Sequence, residues 1–183
     1  MVTSAMSTKS GFDQSRKAVA TRHKQTIRTL LEQRHDTVCN VERPQNGEYT
    51  GEIDAMQLLD YSGIDWLAKG ETGLVPIAER IKRNGKRDFS LRVENGRTDH
   101  NCERETIPNA IAHNNIYPVE YCMVITSNGE IELAYIVDVK QAIQKIQAGK
   151  IDTTRATFDD GTVSEFYDYA DLVLHECVLE VLT

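Results

Sequence analysis

Asp65 lies inside a short apolar run, Gly63-Ile64-Asp65-Trp66-Leu67, and Glu79 opens the group Glu79-Arg80-Ile81-Lys82-Arg83 at the end of a second run. A turn at Lys69 to Gly73 separates the two, so the shortest connection pairs them as antiparallel strands. Two carboxylates on paired strands beside a cluster of cations are what metal-dependent phosphodiester cleavage uses. The acids hold Mg²⁺ or Mn²⁺ and the cations meet the phosphate. Asp65 is the stronger candidate, because a charge between Ile64 and Trp66 needs a cation, a metal or water. Glu79 competes with a plainer role as an exposed acid at a strand edge. Asp54 and Asp60 are further acids nearby, for which turn or solvent roles fit better.

The elements that would position these groups follow from periodicity and punctuation. Residues 1–12 are small and polar and read as disordered, leaving 13–183 as one α/β domain. Ser15 to Arg34 has loosely helical apolar spacing, and 42–51 reads as loop. Strands are expected at 53–59, 62–68, 74–82 and 88–94. The segment 103–113 reads as helix despite Pro108. Two more strands, 120–126 and 131–138, flank Ser127-Asn128-Gly129, a hairpin signal. A helix follows over Val139–Ala148 and ends at Gly149. The tail from Thr154 alternates apolar and polar residues and should pack on the domain or on a second copy of the chain, making a homodimer.

Charge is unevenly spread. The net charge is −7, and residues 151–183 hold eight acids against one base, Arg155, so this acidic segment carries the whole imbalance. Residues 80–92 hold Arg80, Lys82, Arg83, Lys86, Arg87 and Arg92 against Asp88 alone. Local fields rather than total charge steer a polyanion, so this stretch is a candidate DNA-contacting surface. A solvated basic face is the plainer alternative.

The order of a helix, an acid-bearing hairpin, a third strand, a helix and a strand pair resembles the PD-(D/E)xK nuclease superfamily. The resemblance spans roughly residues 15–148 and rests on the Gly63-Ile64-Asp65 triplet and the Ala78-Glu79-Arg80 group. It implies a restriction-endonuclease-like fold, a mixed central sheet flanked by helices. It also implies a Mg²⁺-dependent deoxyribonuclease with Asp65 and Glu79 on the metal, and with Arg80 or Lys82 on the scissile phosphate. Arg83, Lys86, Arg87 and Arg92 would then track the DNA. Glu32 falls where some members place an additional acid. The third strand departs from the family pattern. Strand side chains alternate, so Glu79 shares a face with Ile77 and Ile81 while Ala78 shares one with Arg80 and Lys82. A bulge near Pro76 could turn Glu79 and Arg80 to one side. The alternative is a non-catalytic DNA-binding, regulatory or structural protein that keeps the fold.

Other constellations are weaker. His100, Cys102, His113 and Cys39 lack the close paired spacing of zinc ligands. Trp66, Tyr61 and Phe89 could stack on bases, though core packing explains them as well. The four scattered cysteines are expected as reduced thiols of an intracellular, cytoplasmic protein. No run is long and apolar enough to span a membrane.

Overall fold

The computed structural model describes residues 23–41, 55, 58–59, 62–71, 73–83, 85–94 and 102–182. Helix α1 (residues 23–31) buries His23, Ile27, Leu30 and Leu31 and exposes the residues between them. That is the spacing of one helix face. The first half of the helix expected from Ser15 lies outside the described residues.

Six strands form one mixed sheet in the order β1 (Val38–Asn40), β2 (Trp66–Gly70), β3 (Gly73–Lys82), β5 (Glu120–Ser127), β6 (Glu130–Asp138) and β9 (Val178–Leu182). All neighbours are antiparallel except β3 and β5, which run parallel. A parallel pair needs a crossover. Here it passes through β4 (Asp88–Glu94) and helix α2 (Glu103–Ala112). β4 does not return to the main sheet. It pairs with β8 (Val163–Asp168), which pairs with β7 (Thr154–Thr157), in a second, three-stranded antiparallel sheet.

Local chemistry accounts for several boundaries. Asn128 and Gly129 both have positive φ, 52° and 86°, the geometry of the tight turn that matches strand twist in the β5–β6 hairpin. Asp138 caps helix α3 (Val139–Gln147) by accepting from the Gln141 amide, and Asp168 caps helix α4 (Tyr169–Leu174) by accepting from Ala170. Pro108 sits inside α2 without ending it, in a helix anchored by buried Ile107.

The core has two parts, one on each side of the main sheet. Trp66, Ile77, Cys122, Val124 and Ile136 meet α1 on one side. On the other, Ala78, Tyr121, Met123 and Tyr135 meet α3 and the inner residues of the second sheet, Phe89, Leu91 and Tyr167.

These positions amend the expected elements. Residues 55 and 58–59 are helical rather than part of a strand over 53–59, and the strand preceding β2 in the meander is the short β1. β2 begins at Trp66, so Asp65 stands just before it. The acidic segment is folded: it supplies β7, β8, α4 and β9, with Tyr167, Leu172 and Leu182 buried. Among the described residues no helix is long and apolar enough to cross a membrane.

Candidate functional site

The β2–β3 pairing brings Asp65 and Glu79 together as neighbours, with Trp66 opposite Ile77. The Asp65 amide donates to the Ile77 carbonyl at 2.9 Å, and Asp65 Oδ2 accepts from the Glu79 backbone N–H at 2.8 Å. Asp65 thus holds the main chain of β3 rather than facing the Glu79 carboxylate across an open site. Glu79 Oε2 accepts from the Trp66 indole N–H at 2.8 Å. Burial pushes the Glu79 carboxyl above its ordinary range. The Trp66 bond opposes that rise and the Asp65 charge adds to it.

β3 runs without a bulge. Its register is continuous against β2 from Ile77 to Gly73 and against β5 from Ile77 to Lys82. The turn of Glu79 and Arg80 towards one site is therefore not made. Ile77 lies in the core beneath α1, whereas Ala78 lies in the core shared with the second sheet. Alternation sends Glu79 with Ile77, and Arg80 and Lys82 with Ala78.

On that second side the cations meet acids that sequence inspection had not connected. The Arg80 guanidinium pairs with Glu103 at the start of α2 and lies 5.1 Å from the centre of the Tyr121 ring. Glu103 also accepts from the Arg92 amide at 2.9 Å and from the Tyr121 hydroxyl at 3.3 Å. Burial works against the Glu103 charge, but Arg80 and the Arg92 N–H outweigh it and hold this carboxyl below its ordinary range. Arg80 is raised in turn: burial opposes its charge, and Glu103 then overcomes that with help from Asp65. Lys82 Nζ lies 2.6 Å from Asp88 Oδ1 and 2.8 Å from Ser90 Oγ, both on β4. Burial lowers the Lys82 pKa despite its Asp88 partner.

Of the remaining basic run, Arg87 pairs with Glu132 at 2.7 Å where both are well exposed, Lys86 is exposed, and Arg83 is half-buried. Trp66 and Phe89 are fully buried and belong to the core rather than to a stacking surface. Tyr61, Asp54, Asp60 and His100 lie outside the described residues. Glu32 pairs with Arg28 one helical turn away. All four cysteines are free thiols, and His113 bonds the Asn109 carbonyl.

A shared Mg²⁺ or Mn²⁺ site needs several oxygens converging on one point. Asp65 and Glu79, as seated, do not fit that requirement. One is bonded to the strand backbone, and the other is turned to the Trp66 side. Among the described residues no three His, Cys, Asp or Glu side chains gather as a metal-binding group. Glu103 was missed because nothing in its local sequence marks it and only the crossover brings it against β3, whereas Asp88 and Ser90 lie just across the β3–β4 turn from Lys82. No protein-family model, curated protein or solved structure matches this chain.

Proposed function

We propose that this chain is a non-catalytic nucleic-acid-binding protein built on a nuclease-like architecture. The architectural part is supported by the order of elements: a helix, a three-strand meander with Asp65 just before its second strand and Glu79 on its third, then, after β4, a helix and two strands of the same sheet. One observation carries the non-catalytic part. The side chains at the catalytic positions divide between two faces of an unbulged β3, and each is engaged within the fold. Arg80 and Lys82 fasten β3 to α2 and β4.

Of the basic run, Arg83, Lys86 and Arg87 stand on the β3–β4 turn, where they can meet a polyanion, while Arg92 is half-buried on β4. Arg87 can exchange its exposed Glu132 partner for phosphate at little cost, since such pairs contribute about 0–1 kcal/mol. Three phosphate contacts give a slope of log K against log salt of about −2 to −3. Binding of labelled DNA across a salt series tests this, with K86A/R87A expected to flatten the slope. Incubating plasmid, duplex and single-stranded DNA with Mg²⁺ or Mn²⁺ should yield no product that EDTA suppresses.

A second reading, metal-dependent cleavage, is favoured by one observation. Glu103 pairs with Arg80, and the Asp65 charge also raises the Arg80 pKa, so two acids favour one cation. Cleavage that disappears in Asp65→Ala and in Glu103→Ala would establish that reading in place of ours.

A further inference from the structure

The second sheet has an outer face that the fastening contacts of Lys82 reach only at its Asp88–Ser90 end. Phe89 and Leu91 of β4 and Tyr167 of β8 point into the core. The alternate residues therefore share the other face, and the register places Ser90 beside Phe166 and Phe166 beside Thr154. Phe166 is half-buried, and Lys82 Nζ lies 4.8 Å from the centre of its ring. Phe158, just beyond β7, is half exposed at 50%, and its ring centre is 6.3 Å from that of Phe166. Its position is held by a 2.8 Å bond from its amide to the Thr162 carbonyl. An exposed phenylalanine held beside a second ring, itself backed by the Lys82 cation, is a surface to which a flat π-system can add.

Resting on the nucleic-acid reading above, we propose that this face is a base-stacking platform for single-stranded nucleic acid. Phe158 takes a base, backed by Phe166, whose own ring lies under Lys82, and the cations of the β3–β4 turn take the phosphates. Charge sets where the strand's backbone lies. Asp159 and Asp160 adjoin Phe158 at the tip of the β7–β8 hairpin and repel phosphate there. Lys86 and Arg87 lie at the opposite end, just before β4, and attract it. A duplex is a poor occupant, because its base faces are already covered by their neighbours. The stacking contact is shared by DNA and RNA, and only the 2′-hydroxyl separates them.

The test compares fluorescence anisotropy of labelled oligo-dT, oligo-rU and a duplex of equal length. Phe158→Leu removes the aromatic face at an exposed position and should leave the melting temperature unchanged. It should weaken single-strand binding by about fivefold or more, with duplex binding unaltered. Phe166→Leu should act in the same direction, and an effect confined to dT or to rU would identify the natural strand. If both leucine variants bind single strands as wild type does while K86A/R87A binds them weakly, the platform is overturned and the broader reading stands. If the wild type binds none of the three, both fall.

Discussion

Replacing Arg80 with methionine should destabilise the fold by about 3 kcal/mol, because it strands the Glu103 charge. Removing one partner of a buried pair costs about 3–5 kcal/mol. Two features place Arg80 at the lower end: its side chain keeps 28% exposure, and Glu103 retains the Arg92 amide and the Tyr121 hydroxyl. Glu103→Leu alone should cost a similar amount by leaving Arg80 against the Tyr121 ring without its anion. The double variant strands neither charge and should cost about 3 kcal/mol less than the roughly 6 kcal/mol sum of the singles, a coupling of about 3 kcal/mol. Urea unfolding of the four proteins of the cycle measures this, and melting should show the single variants down by about 6–12 °C. Acid provides a second axis. The Glu103 pKa is depressed from 4.5, so its stabilisation is fully present above that value and fades as pH falls below it. The Arg80 variant should lose part of that pH dependence. Additive effects within about 0.5 kcal/mol, or a single-variant cost under about 1 kcal/mol, would refute the fastening role.

Glu79→Gln should be more stable than wild type at neutral pH, with the gap closing as pH falls through the raised Glu79 pKa towards 4.5 and gone below it, because burial raises the Glu79 pKa and so makes its ionisation oppose folding. Melting curves at both pH values decide this, and a gap that widens on acidification would contradict it. Truncation after Cys177 removes β9 with buried Leu182 and the Arg34–Glu180 pair, and should lower the melting temperature by at least about 4 °C. An unchanged curve would make β9 dispensable. A salt series on DNA binding with a slope near zero would remove the cations of residues 83–87 from any interface.

Much of the main sheet was legible because it is built from local pairings. The turn after Lys69 set β2 against β3, the Asn128-Gly129 pair set β5 against β6, and alternation assigned Ile77 and Glu79 to one face and Ala78 and Arg80 to the other. β1 escaped notice because three residues carry no readable period. The departure of β4 into a second sheet depends on β8, more than seventy positions along the chain, and no local signal announces a partner so distant. The candidate site was half legible for the same reason. Asp65 and Glu79 are neighbours through a hairpin, but Glu103, the partner that determines the work of Arg80, arrives from the helix beyond β4. A run of cations looks like a binding surface until its counter-charges are placed.

The strand order also has a consequence for biosynthesis. β9 closes the free side of β6, and its Glu180 shares Arg34 with Glu120 of β5 at the end of α1. The first helix is thereby tied to the last strand. While the chain is being made, β5 and β6 can form their hairpin early, yet β6 presents an open, apolar border until residues 178–182 have left the ribosome. β4 waits similarly for β8. Contacts this far apart in sequence slow folding and lengthen the time for which unpaired strands are exposed. A nascent chain stalled anywhere between residues 139 and 177 should therefore be a strong client for chaperones that hold extended apolar segments.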